Sequence, residues 1–291
     1  MKKGNLAVLS CYILWGLLPV YWKLLSSVDS IYVLASRILW SFVFCALIVA
    51  YKREGNLISK TIKNKDELLK LILAGIMVSL NWGLYIVAIH TNHILEASLA
   101  YYMNPIMGVV LGFLFFKERL SKRQWLAVII ASFGVIYNII KYGKVPTFSL
   151  LIGGSFAIYG ALKKKIDLPS EISLFIETLS VLPIALIYIV YIKSSGAFAS
   201  YNLTSLSKIL LPISGIITSV PLLLFAYGIK TTSMTTSGLL MYVNPTLQLL
   251  IGTLIYKEEF TKVNLITFIF IIFALIIYIP TVIKIDEKKV N

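Results

Sequence analysis

Ten stretches of this 291-residue chain are apolar enough and long enough to cross a bilayer as helices. A hydrocarbon core of about 30 Å needs roughly 20 helical residues. The apolar runs predict spans over 5–24, 31–51, 68–89, 94–116, 125–140, 145–162, 172–192, 209–229, 234–256 and 263–283. The sixth is the weakest, being short and carrying Pro146, Gly153 and Gly154. A barrel is excluded because its strands need only about ten residues of alternating polarity, and no such alternation occurs. With 58% hydrophobic and 14% charged residues, the chain is too apolar for a soluble domain of this size. The +14 net charge does not point to nucleic acid, because the cations fall in small groups between apolar runs rather than on one face.

Those groups predict the orientation. With a cytoplasmic N-terminus, 19 of the 27 Lys and Arg lie in inside segments, 7 lie outside, and Arg37 sits within the second span. The excess of inside cations places both termini in the cytoplasm. The short basic leader resembles a signal peptide, but no small-residue cleavage site follows the first span, which is expected to be retained.

Sliding the sequence against itself by 140 residues reveals an internal repeat. Tyr102, Asn104, Pro105, Gly112, Lys117, Glu118 and Lys122 fall on Tyr242, Asn244, Pro245, Gly252, Lys257, Glu258 and Lys262. Leu34 to Leu39 fall on Leu174 to Leu179, and Ser79 and Leu84 on Ser219 and Leu224. The expected fold is all-α, with ten transmembrane helices as two five-helix repeats, 1–142 and 143–291. An odd number of spans inverts the second repeat relative to the first. Inverted repeats around a midplane site are how many secondary transporters exchange which side is open.

Two ionisable groups are placed at membrane depth by this reading, Arg37 in the second span and its 140-residue mate Glu177 in the seventh. An Arg near the bilayer centre costs on the order of 3 kcal/mol and needs a partner or a ligand. Two roles compete. In one, Arg37 grips an anionic or zwitterionic solute with its planar fork of donors, and Glu177 supplies a counter-charge or exchanges a coupling proton. In the other, the two form a structural salt bridge. Trp15, Asn81, Tyr85, Tyr102, Tyr159, Tyr242 and Asn244 complete an expected cavity lining, and the Pro105–Pro245 pair frees backbone carbonyls in mid-helix. Gly108, Gly112 and Gly252 read as close helix packing, Lys117–Glu118 and Lys257–Glu258 as interfacial helix ends, and Glu96 as a charge suited to a helix N-terminus.

Enzymatic motifs are missing: no Walker A loop, G-x-S-x-G, H-E-x-x-H or Cys-x-x-Cys occurs. His90 and His93 lack a third metal ligand, and Cys11 and Cys45 read as apolar filler. No cofactor, metal or nucleic acid is expected. The expected partners are a small-molecule solute, the lipid bilayer and a proton or other coupling ion, with a monomer or homodimer as the working unit. A membrane-embedded enzyme or accessory subunit is the rival class. A channel is disfavoured because Arg37 and Glu177 obstruct a simple pore of either selectivity.

Trp15-Gly16-Leu17-Leu18-Pro19-Val20-Tyr21-Trp22-Lys23, Arg37-Ile38-Leu39-Trp40-Ser41, Asn81-Trp82-Gly83, Leu95-Glu96-Ala97-Ser98-Leu99, Tyr101-Tyr102-Met103-Asn104-Pro105, and Tyr159-Gly160 with Lys164 together resemble the RarD-type proteins of the EamA family, in the drug/metabolite transporter superfamily. The resemblance spans nearly the whole chain. It implies two inverted five-helix halves, a plasma-membrane location, and movement of small metabolites or amphipathic compounds. Ser36 stands where those proteins usually carry His, so a relay through a His at that place does not carry over.

Overall fold

The computed structural model describes residues 3–91, 93–143, 145–196, 203–257 and 261–287, without the side chains of residues 89, 90, 94, 95 and 281–287. Lys2, Lys144, Glu258, Lys288 and Lys289, and the side chain of His90, lie outside the described residues. In order, the helices are α1 (Lys3–Lys23), α2 (Ser30–Lys52), α3 (Gly55–Lys63), α4 (Lys65–His90), α5 (Ile94–Phe116), α6 (Lys122–Tyr142), α7 (Thr147–Lys165), α8 (Ser170–Ser194), α9 (Ser205–Ile229), α10 (Met234–Met241), α11 (Val243–Leu250) and α12 (Lys262–Glu287). Among the described residues no strand occurs. Among the described residues, nine stretches are long and apolar enough to cross a membrane, α10, α11 and the turn after them counting as one. Of the ten expected spans, the one that falls short is α7, whose last turn carries Lys163, Lys164 and Lys165. Leu47, Phe113, Phe115, Ile184, Ile187 and Phe273 stand exposed around the bundle, as lipid-facing side chains do.

Two features are absent from the sequence expectations. The connection after α2 folds as the short amphipathic helix α3, with Leu57 and Ile58 packed on the core and Lys60 and Lys63 in its last turn. The span expected over 234–256 is broken into α10, α11 and a π-helical turn, Ile251–Ile255. Pro245 has no N–H to offer the carbonyl of Met241, and α10 ends at Met241. Its mate Pro105 lies inside the continuous helix α5, so the same residue breaks one repeat and not the other.

Contacts at the helix ends fix the direction of each helix. Asn5, in the first turn of α1, accepts a bond from Thr232, just after α9; the carbonyl of Thr232 in turn accepts from Lys164, in the last turn of α7. So α1 begins on the face where α7, its repeat equivalent, ends. Lys52, at the end of α2, pairs with Glu171 at the start of α8 on that face. On the opposite face, Tyr21 at the end of α1 donates to the carbonyl of Leu210 early in α9, and Asp29, which caps α2, accepts from Tyr188 late in α8. The two repeats therefore run in opposite directions through the bundle. We call the first of these the terminal face.

The repeats also interleave. The principal partners of α1 are α9, α10 and α11; α7 packs on α4 and α5, α2 on α8 and α9, and α6 on α12. Each of these contacts joins one repeat to the other. Close approach at α5 and α10 depends on glycine: a Cβ on Gly238 would lie 2.6 Å from the carbonyl oxygen of Pro105, and one on Gly108 would lie 3.6 Å from the Cα of Gly238. Carboxylates finish the job at both ends of α5. Glu96 accepts from the Phe148 N–H in the first turn of α7 at 2.6 Å and from Tyr142 at 2.7 Å, so it caps a neighbouring helix rather than its own. Glu118 accepts from the N–H groups of Met234 and Thr235 at 2.7 and 2.9 Å, capping α10.

At Gly215, on α9, a Cβ would lie 2.3 Å from the Trp40 carbonyl carbon of α2, whereas at Gly154 it would meet nothing within 4 Å. Gly215→Ala is expected to cost about 1–3 kcal/mol through overpacking. Gly154→Ala is expected to leave stability unchanged or raise it by up to about 1 kcal/mol through helix propensity. Thermal unfolding of the two variants in detergent checks both.

Candidate functional site

The planar side chain of Arg37 has five donors and no acceptor, so its surroundings state what it is for. Arg37 is the eighth residue of α2, counted from the face opposite the termini. Its guanidinium carbon lies 4.4 Å from the ring centroid of Trp22, near the end of α1, and 4.3 Å from that of Trp82 on α4. Such stacking favours a desolvated cation by roughly 0.5–2 kcal/mol per ring. Its Nε donates to the Thr218 hydroxyl of α9 at 3.0 Å. Among the described residues no carboxylate lies within ion-pair distance of Arg37 and no acceptor serves its terminal nitrogens. The hydroxyls of Tyr21 and Tyr101 lie close enough to act on it electrostatically. Tyr101 meets Tyr85 edge-on at 5.7 Å and neighbours Gln248 of α11.

The expected Arg37–Glu177 salt bridge is not formed. Glu177 pairs instead with Lys163 of α7, Nζ to Oε1 at 2.5 Å, with each side chain 1% exposed. Ser173 donates to the same carboxylate oxygen at 2.6 Å and Tyr159 to the other at 3.3 Å. The reason lies in the inversion. Glu177 is the eighth residue of α8 counted from the terminal face, as Arg37 is of α2 from the other. At 1.5 Å per residue, equal positions in opposed helices of this length stand about 13 Å apart in depth. Lys163 belongs to the last turn of α7 and points inward; it is not a loop cation.

Between Trp82 and Glu177 lies a small cleft of about 20 Å³, room for little more than one water molecule, lined by Ser41, Ser79, Trp82, Glu177 and Thr178 among others. Trp82 is shared with the Arg37 site, and Glu177 belongs to the second. Toward the terminal face, Tyr12, Trp15, Phe156, Tyr159 and Phe225 form one aromatic cluster with centroids 5.4 to 6.3 Å apart.

The remaining expected residues are not gathered at Arg37. Asn81 donates to the Ile152 carbonyl at 2.7 Å and to the Ser155 hydroxyl at 3.3 Å, tying α4 to α7. The Tyr242 hydroxyl donates to the carbonyl of its own mate Tyr102 at 3.2 Å, in an apolar cluster shared with α6 and α12. The Asn244 side chain accepts from Gln248 at 2.7 Å within α11. Tyr85 stands near Arg37 through Tyr101, and Trp15 and Tyr159 belong to the aromatic cluster. Sequence reasoning passed over Trp22, Trp82, Tyr101 and Thr218 as site residues, and also Lys163. One signal pointed to Lys163: the 140-residue offset that relates Arg37 to Glu177 also relates Lys23 to Lys163.

The pattern of the EamA-like transporter family matches residues 2–140 and, a second time, residues 144–279. The chain is 40% identical over 283 residues to an uncharacterized transporter, YojE, of Bacillus subtilis (strain 168), covering 95% of this chain and 93% of that one. It is 36% identical over 279 residues to Protein RarD of Escherichia coli (strain K12), covering 96% and 94%. A solved crystal structure with 13% identity superposes with a TM-score of 0.70 over 95% of this chain and 96% of its own, and so shares the fold. The chain belongs to the EamA-like transporter family, as a RarD-type protein, and is a multi-pass membrane transporter of the drug/metabolite type.

Removing Glu177 alone leaves Lys163 charged and unpaired in the interior. Glu177→Leu is expected to destabilise the protein by about 3–5 kcal/mol, and Lys163→Met with Glu177→Leu to recover most of that loss. Denaturation of the single and double variants in detergent checks the pair.

Proposed function

We propose that this member of the EamA-like transporter family carries a small anionic or zwitterionic metabolite, or an amphipathic compound bearing a carboxylate, across the plasma membrane by alternating access. The observation that carries the reading is Arg37: a cation at membrane depth, oriented by two indoles and one hydroxyl, with its terminal nitrogens unmatched by any described carboxylate. Placing it there costs on the order of 3 kcal/mol. A solute carboxylate offsets that cost by taking the open edge of the fork in a bidentate pair.

In this reading the repeats are 1–142 and 143–291, and both termini are cytoplasmic, as the distribution of Lys and Arg favours. Arg37 then serves the outer half. Trp22, Trp82, Tyr85 and Tyr101 form the wall that holds the solute's apolar part. Trp15 and Tyr159, with Phe156 and Phe225, close the route to the cytoplasm. Asn81, Tyr102 and Tyr242 tie neighbouring helices together, and Asn244 braces α11 from within. One chain supplies both repeats, so a monomer suffices.

A thermal-shift screen of purified protein against amino acids, organic acids, nucleotide precursors and amphenicols tests this, run beside Arg37→Ala and Arg37→Lys. A ligand at about 100 times its dissociation constant adds roughly 2.7 kcal/mol to the folded state, a shift of several degrees. The expected result is stabilisation by one class of carboxylates in the wild type, weakened in Arg37→Lys and lost in a folded Arg37→Ala protein. Equal stabilisation of wild type and Arg37→Ala, or none by any carboxylate, overturns Arg37 as the solute site.

A further inference from the structure

The two repeats place different residues at the same two positions, and the difference identifies a second site. In the first repeat the positions are Lys23 and Arg37; in the second they are Lys163 and Glu177. Where both are cationic, no described carboxylate pairs with Arg37. Where one is a carboxylate, it lies directly on the remaining cation, 2.5 Å from Lys163 Nζ and 1% exposed. Glu177 thus occupies a buried anion site as its resident anion. That carboxylate also lines the water-sized cleft whose other wall is Trp82, the indole that stacks on Arg37. Close by, the Ser219 hydroxyl is fully buried against the Cys45 thiol, whose neighbours include Glu177 and Lys163.

Resting on the reading of Arg37 as the outer carboxylate site, we propose that Lys163 is a second carboxylate-binding station for the solute, opened by protonation of Glu177. Charge balance is the reason. An unpaired charge at this depth is strongly unfavourable, so Lys163 keeps one anion at a time. While Glu177 is ionised, that anion is its own carboxylate. When a proton binds a Glu177 oxygen, the carboxyl becomes neutral and the ammonium group of Lys163 can take a solute carboxylate, admitted when the helices around the water-sized cleft move apart. One proton and one anion enter together and the site remains neutral, so solute movement past Lys163 is coupled to a proton in a one-to-one ratio.

The groups that face this titration come from three helices and one helix end. They are Lys163 and Tyr159 on α7, Cys45 on α2, Glu171 earlier on α8 near Cys45, and Lys230 just after α9, which neighbours Lys163. From α4, Gly75 presents no side chain and abuts the Glu177 carbonyl. Among the described residues, Lys163 forms the ion pair with Glu177, Tyr159 and Ser173 add hydrogen bonds to its carboxylate, and Ser173 also accepts from Lys163.

Acetate, the size of the Glu177 carboxyl group, is the probe, and Arg37→Ala is the background, so that the outer site cannot answer. Acetate binding to Arg37→Ala, followed by calorimetry, is expected to strengthen as pH falls from 8 to 5.5. About one proton is taken up per acetate bound in weak buffer. In Arg37→Ala with Glu177→Ala the pH dependence is expected to vanish and acetate to raise the melting temperature. Adding Lys163→Met to that pair, which leaves no buried charge behind, is expected to abolish binding. Binding that is independent of pH in Arg37→Ala, or that survives Lys163→Met, overturns the second station. If the Glu177→Ala variants do not fold, the proton count on Arg37→Ala alone decides the matter: zero protons per acetate, or no acetate bound at pH 5.5, overturns it. The outer site is judged separately, by the carboxylate screen of wild type against Arg37→Ala.

Discussion

Hydrocarbon solvates neither a charge nor an unpaired peptide group, and the polar contacts of this bundle answer that one constraint. The fully buried ion pair on α7 and α8 has its carboxylate further satisfied by a serine and a tyrosine. The N-termini of α7 and α10 take their acceptors from Glu96 and Glu118, at the two ends of α5, rather than from water. Buried Asn81 and Tyr242 spend their donors on carbonyls of neighbouring helices. Arg37 departs from this pattern in keeping its terminal nitrogens unmatched within the described protein, and so it marks a place meant for something other than protein.

The architecture was legible because it depends on features with a length scale. Apolar runs of about 20 residues set the helices, and a repeat offset constant at 140 residues set the inversion. The breaks were harder. The same Asn-Pro pair sits inside a continuous helix at Pro105 and follows a helix end at Pro245, so a proline alone does not state whether its helix survives; the surrounding packing decides. Likewise α3 lies in a charged connection whose nine residues are too short for a spanning pattern.

The site was less legible for a geometric reason. Symmetry in sequence suggested that Arg37 and Glu177 meet, yet inversion sends equal positions to opposite depths, and mates meet only near the middle of the bundle. Tyr102 and Tyr242 are in contact there, while Arg37 and Glu177 are not. Lys163 was hidden by its neighbours: three consecutive lysines read as a solvated helix end, and only the turn of the helix separates the inward Lys163 from the outward Lys165. The indoles of Trp22 and Trp82 come from α1 and α4, and nothing in their local sequence states that both stack on the same guanidinium.

The interleaving of the repeats bears on how the chain is made. A helix that packs mainly on its own repeat can bury its faces as soon as that repeat is inserted, but α1 finds its partners in α9, α10 and α11, and α6 finds its own in α12. During synthesis the first five spans therefore wait in the bilayer with their glycine-lined seams facing lipid and Arg37 without Thr218. Closure of the bundle is a late, long-range event that few local contacts prepare. Insertion and folding are separated in time here, and damage to the last helices exposes the first ones to quality control before any transport is attempted.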